Sequence, residues 1–262
     1  STQLNALSAT QVKGLTAAQL TTLSTDQVSK LSTAVVASLS GAQLAGMETA
    51  DIAALSTDAV SKLTATQVAA LTTAQVVALS TSQAEKLTAT QVKAMTATQV
   101  AALETADVAK LGAAQIQALS AATVGALTTG QFSTLSTTQL NALIPTQVKG
   151  LTAAQLTSLT TTQVSKLSTA MVASLSATQV AGMQAEDIGA LSTDAMSKLT
   201  AAQVGSLTTA QLEALSTSQA EQLTATQVKA LTATQVAALE TADLAKLGTA
   251  QIQALSAATV GA

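Results

Sequence analysis

From Leu7 to Leu255 the chain keeps one eight-residue frame with no insertion or deletion. Most octads read Leu or Met, then Ser or Thr, two small residues, Gln, an aliphatic residue and two variable ones, as in LTATQVKA at 87–94. This period excludes a long helix. Eight residues at about 100° each overshoot two helical turns by about 80°, so a leucine stripe would wind around the rod and no face could stay buried. A heptad coiled coil fails for the same reason. A strand is disfavoured because the two apolar positions, first and sixth, have opposite parity, with Ala and Gln between them. A β-solenoid remains the alternative architecture.

The octad spells a helix start. In the 87–94 octad, Thr88 is placed as an N-cap that accepts from the Gln91 N–H, and the Gln91 side chain can return to the Thr88 N–H, a capping box. Leu87 and Val92 flank it as a hydrophobic staple. Charge placement agrees with a helix dipole that resets every eight residues. Every Lys falls at the seventh or eighth position, and most acids fall at the second to fifth. Asp26 with Lys30, Asp58 with Lys62 and Asp194 with Lys198 stand at the favourable i,i+4 spacing. The single proline, Pro145, takes the first helical position, where a missing N–H costs nothing. Most glycines fall at the seventh or eighth position, as at a helix C-terminus, but Gly41 and Gly130 do not fit that pattern.

A helix of about six residues is not stable alone, because nucleation is costly and few hydrogen bonds follow it. Neighbouring octads must supply the stability. The expected fold is therefore all-α: a solenoid of short capped helices, one per octad, with first- and sixth-position Leu and Val filling the core and polar positions outside. The whole chain, 1–262, reads as a single continuous array. STQLNALSATQVKGLTAAQL from Ser1 matches TTQLNALIPTQVKGLTAAQL from Thr137, a shift of seventeen octads. A first block at 7–142 is thus followed by an incomplete second block at 143–262. The sequence starts inside a repeat and without Met, which suggests a piece of a longer protein.

Composition narrows function. There is no His, Cys, Trp or Tyr, one Phe (Phe132), and every basic residue is Lys. The usual ligands of zinc, haem and iron–sulfur clusters are missing, as are the Cys nucleophile and the side chain that titrates near neutrality. Without Arg or stacking aromatics, and with a net charge of -3, nucleic acid is not an expected partner. No apolar run is long enough for a membrane span. The expectation is a protein with no catalytic residues, no cofactor and no small-molecule substrate.

The sharpest local departures are acidic. Glu48 and Asp51, Glu104 and Asp107, Glu186 and Asp187, and Glu240 and Asp243 form oxygen-rich pairs of a kind that Ca²⁺ favours. One octad, however, offers too few ligands for a six- to eight-coordinate ion, and acids at a helix start already serve the cap and the dipole. Thr-x-Thr pairs such as Thr64 and Thr66 suggest an ice-binding rank, yet the first Thr of each is explained as a cap. Val35, Met171, Ala59 and Ala195 replace the capping Gln and are expected to weaken individual caps. Phe132, Ala84 and Ala220 read as variation in core volume.

The octads LTATQVKA, LTTAQVVA and LSTTQLNA resemble Thr/Ala/Gln/Leu-rich arrays of very large bacterial surface and secreted proteins, adhesin-like or RTX-like. That resemblance implies an extracellular structural or adhesive role. The expected partner is another copy, end to end or side by side, or the continuation of a longer chain. The alternative is a solenoid surface that binds protein or glycan.

Overall fold

A computed structural model describes residues 2–260. Among these residues there are thirty-three helices of four to six residues and no strand, so the α-solenoid holds and the β-solenoid does not. The octad is the folding unit. In the 87–94 octad the helix Ala89–Ala94 starts one residue after Thr88 and ends at Met95, which opens the next octad in extended backbone at φ -67°, ψ 140°. A short extended corner thus separates one helix from the next.

Two compact units are present, Ser1–Leu135 and Ser136–Ala262. Within each, beyond the first helix, the main packing partners are helices three apart in the chain. Ala89–Ala94, for example, lies between Ala65–Ala70 and Ala113–Ala118. One coil therefore takes three octads and has three helical sides. First- and sixth-position side chains point inward: Leu87 is 3 % exposed and Val92 1 %. A coil of three octads thus turns six mostly aliphatic side chains to the axis. That packs a narrow three-sided interior to the density proteins require, with Phe132 and Ala84, each fully buried, as local changes of volume.

The first turn of most helices is built as its sequence predicts. Thr88 Oγ1 accepts from the Gln91 N–H at 3.3 Å, and Gln91 Oε1 accepts from the Thr88 N–H at 2.6 Å. Thr64, Thr96, Thr224 and Thr232, the first members of the Thr-x-Thr pairs, are likewise caps. Pro145 opens the helix Pro145–Lys149. Of the three spaced charge pairs, only Asp26 and Lys30 close, at 2.7 Å on an exposed surface, among the described residues.

Gly14, Gly46, Gly150 and Gly182 do stand at helix C-caps, as their spacing suggests, but in right-handed backbone. No described residue has positive φ, so they do not serve left-handed helix ends. Several glycines allow adjacent coils to touch. A Cβ on Gly189 would lie 2.6 Å from the Ala214 carbonyl oxygen, one on Gly205 3.1 Å from that of Ala230, and one on Gly46 3.0 Å from the Ala17 Cβ. Gly41, which fits no end-of-helix pattern, faces Ala70 of the next coil in the same way, at 2.7 Å. Gly130 meets only its own cap hydroxyl, Thr128 Oγ1, at 3.9 Å, and nothing in its surroundings requires glycine.

Two alanine substitutions separate these roles. Gly189→Ala should destabilise the chain by about 1–3 kcal/mol, because a backbone carbonyl must move to make room. Gly130→Ala, in open space with helical φ, should stabilise it by about 0.4–1 kcal/mol through the unfolded state. Urea unfolding followed by far-UV circular dichroism measures both, and shifts of the same sign would contradict the coil-contact assignment.

Candidate functional site

The fifth-position glutamine recurs in twenty-two of the thirty-two octads from Leu7, and beyond the first coil it lies mostly inside. Gln91 is 2 % exposed, Gln75 1 % and Gln155 1 %. This corrects the expectation that only the first and sixth positions face inward. The amide has two jobs. Its oxygen closes the capping box of its own helix. Its nitrogen donates one coil back: Gln91 Nε2 reaches Val60 O at 2.8 Å and Leu63 O at 2.8 Å, 31 and 28 residues earlier. Gln67, Gln75, Gln83, Gln99 and Gln131 repeat this offset in the first unit. Gln179, Gln203, Gln211, Gln219 and Gln227 repeat it in the second.

The two acceptors differ. The sixth-position carbonyl already accepts from the backbone N–H of the next leucine, as Val60 O does from Leu63 at 3.2 Å, and takes the amide as a second donor. The first-position carbonyl lies in the corner just beyond the helix and, buried away from water, must be paired. Only a side chain that both accepts and donates can serve the cap N–H and these carbonyls together, which is the inventory of a primary amide. Each joint is thus an internal crosslink between coils, and its polar atoms are fully engaged.

Where glutamine is missing, the joint is rebuilt in different ways. The octads of Val35 and Met171, for which the sequence predicts weaker caps, are completed from another coil. Asn5 Oδ1 accepts from the Ser32 N–H at 2.7 Å, and Asn141 Oδ1 accepts from the Ser168 N–H at 2.7 Å, each from 27 residues earlier. The same amides donate to Lys30 O at 2.8 Å and Lys166 O at 2.9 Å. An asparagine from the preceding coil thus does the capping half of the glutamine's work. Ala59 and Ala195 keep the N-cap serine bond, from their own N–H groups to Ser56 and Ser192 Oγ at 3.1 Å, and lack the amide. Thr123 turns its hydroxyl back to the Ser120 carbonyl at 2.9 Å.

The acidic pairs are split by the fold. Glu48, Glu104, Glu186 and Glu240 are outside the core, whereas Asp51, Asp107, Asp187 and Asp243 take the buried fifth position. Glu48, Glu104 and Glu240 are N-caps without a side-chain cap bond, while Glu186 lies in the first turn of Ala185–Ala190 behind the N-cap Gln184. Among the described residues no three acidic side chains come together as a metal-binding group. An apolar hollow of about 420 Å³ around Leu244, Ile252 and Leu255 has no charged residue in its wall. Among the described residues no helix is long and apolar enough to cross a membrane.

Gln91→Glu preserves shape and removes the donor. It should cost about 2–3 kcal/mol at neutral pH, since the buried Leu63 carbonyl loses its amide donor and both it and the Val60 carbonyl, which keeps the Leu63 N–H, gain a carboxylate. Gln222→Glu, on an exposed eighth position, should stay within about 0.5 kcal/mol. Equal losses in chemical denaturation would argue against the joint. Asn141→Ala should cost about 1 kcal/mol by unpairing the Ser168 N–H. Met171→Gln in that background should recover most of the loss, and a double-mutant cycle in which the two changes simply add would refute the exchange.

The joint also frames the comparison with known proteins. The chain matches the family described as the ALTTAQ repeat over residues 44–81, 100–137, 180–217 and 236–262, more than half of its length. Ala70-Leu71-Thr72-Thr73-Ala74-Gln75 carries that hexapeptide verbatim. The first match opens on Leu44, whose carbonyl accepts from Gln75 Nε2 at 2.7 Å. The second opens on Val100, bonded to Gln131, and the third on Val180, bonded to Gln211. The family unit in these three segments therefore spans one complete inter-coil joint. No curated protein matches the chain. On the extent of these matches, the chain belongs to the ALTTAQ repeat family.

Proposed function

We propose that the chain is a non-enzymatic structural element: an extended rod, stalk or filament segment, displayed outside a bacterial cell. The observation that carries this reading is where the polar side chains go. The recurrent Ser and Thr hydroxyls cap helices, and the recurrent Gln amides tie coils together. What remains for solvent is a short-side-chain surface of Ala, Ser and Thr with scattered Lys and acids. A surface of this kind suits a spacer better than a reaction centre, which needs convergent groups with perturbed protonation in a cleft.

Repetition favours length. Each coil offers the next the same row of leucine carbonyls and receives the same glutamine amides, so the contact is heterologous and adds units without closing. End-to-end or lateral self-association, or continuation within a longer chain, follows as part of the proposal. The extracellular placement is supported by the resemblance of octads such as LTATQVKA to arrays of large bacterial surface and secreted proteins. Electron microscopy of the purified chain should show uniform thin rods or fibres. A compact, monodisperse globule would overturn the proposal.

A further inference from the structure

Four octads put an aspartic acid where the others put the joint glutamine, two in each compact unit: Asp51, Asp107, Asp187 and Asp243. They are 2 %, 0 %, 2 % and 1 % exposed. Every buried side-chain nitrogen or oxygen without a hydrogen-bond partner among the described residues belongs to one of them: one oxygen each on Asp51 and Asp187, and both oxygens on Asp107 and Asp243. Gln91 and the other joint glutamines reach back 28 residues to a corner carbonyl. The same step places these carboxyls over the corner carbonyls of Leu23, Leu79, Leu159 and Leu215. An ionised carboxylate has no hydrogen to give. Acceptor would face acceptor in a dry joint, the arrangement that costs most when left unpaired.

No cation is placed to relieve it. None of the four closes an ion pair among the described residues. The charged groups around them are mostly acids. Glu48 stands beside Asp51, and the helix beneath, Thr25–Ser29, brings only Asp26, itself paired with exposed Lys30. Glu104 stands beside Asp107. The helix beneath, Thr81–Lys86, offers the Thr81 hydroxyl, which does not complete a hydrogen bond to it, and ends in exposed Glu85 and Lys86. Glu186 adjoins Asp187, with exposed Glu213 on the helix above, Thr209–Glu213. Glu240 precedes Asp243, with exposed Glu221 on the helix beneath, Thr217–Glu221. Lys110 and Lys246, which follow Asp107 and Asp243 in sequence, are exposed.

We propose that three of these aspartic acids, Asp51, Asp107 and Asp187, are proton-binding joints: each carboxyl takes up a proton on folding and donates it into the joint, toward the leucine carbonyl, in place of the glutamine amide. The protonated acid is then a shorter stand-in for the amide, with one donor and one acceptor. Burial pushes the Asp51, Asp107 and Asp187 carboxyls above their ordinary value. The neighbouring Glu48, Glu104 and Glu186 charges push the same way, while the Glu48 N–H at Asp51, the nearby Thr81 hydroxyl at Asp107 and the backbone N–H groups of Glu104 and Gln184 pull downward without overcoming burial. The sign of the linkage follows. The folded chain holds these protons more tightly than the unfolded chain, so their contribution to stability is complete below the ordinary carboxylate range and is lost as pH rises through the raised folded values. Mild acid should tighten the array, and alkali should loosen it at these three places.

The test is thermal unfolding of the full chain by far-UV circular dichroism between about pH 4 and about pH 8, beside a variant with Asp51→Asn, Asp107→Asn and Asp187→Asn. Asparagine has the length of aspartic acid and a permanent donor. The parent should melt at progressively lower temperature as pH rises, whereas the variant should show a much flatter profile and melt above the parent at the alkaline end. A parent midpoint that is constant or climbs with pH, or a variant that keeps the parent's slope, overturns the proposal. Should the threefold variant fail to fold, carbon-13 titration of the parent's side-chain carboxyls decides the matter. Midpoints above the ordinary carboxylate range for Asp51, Asp107 and Asp187 support it, and their absence, with a bridging water or ion holding the charged forms, overturns it.

Discussion

A primary amide in a dry joint is the interaction on which this structure depends. A helix of five or six residues has almost as many unpaired backbone groups as paired ones, so an array of such helices should be expensive to bury. The fifth-position glutamine removes much of that expense with one side chain. Gln91 takes up the orphan N–H at the start of its own helix and supplies the donor for two carbonyls at the corner of the coil beneath. The acceptor half is local and the donor half is long-range. The start of the helix and the contact between coils therefore share one side chain: the amide that completes the cap also binds the neighbouring coil.

The core and the coil contacts complete that arrangement. Leucine at the corner and valine on the second turn fill the interior, and the staple they form holds the corner angle that brings the cap into register. Small residues on the helix sides keep successive coils close enough for an amide to bridge them. At Gly41 and Gly189 even a methyl group would meet the adjacent coil at 2.7 Å and 2.6 Å. Stability in such a stack is approximately a sum of unit and nearest-neighbour terms, which makes each altered joint a local weak or tunable point.

How much of this is legible in sequence depends on how far apart the interacting groups are. The capping box of Thr88 and Gln91, the staple of Leu87 and Val92, and the first-turn position of Pro145 all lie within one octad, and the residue types name their roles directly. The donor half of the glutamine is hidden because Val60 and Leu63 are 31 and 28 residues away, and the offset has meaning only once three octads make a coil. Asn5 and Asn141 are opaque for the same reason. They look like unremarkable seventh-position residues until the fold places them against Ser32 and Ser168, whose octads carry Val35 and Met171 in place of glutamine. End-of-helix spacing locates glycines such as Gly46 at a C-cap but does not show the constraint at Gly41, Gly46, Gly189 and Gly205, which comes from the neighbouring coil and not from the backbone angle.

Residue order alone is enough to specify a string of short helices with leucine corners, because capping and periodicity act over four to eight residues and need no partner. Composition alone is enough to show that the usual catalytic and metal-binding side chains are largely missing. That three octads close a coil, that the glutamines lie inside it, and that each acidic pair is divided between solvent and a buried joint emerge only when the helices pack. Those outcomes depend on which carbonyls a side chain meets after a full circuit of the coil, and the frame alone does not specify how many octads complete it.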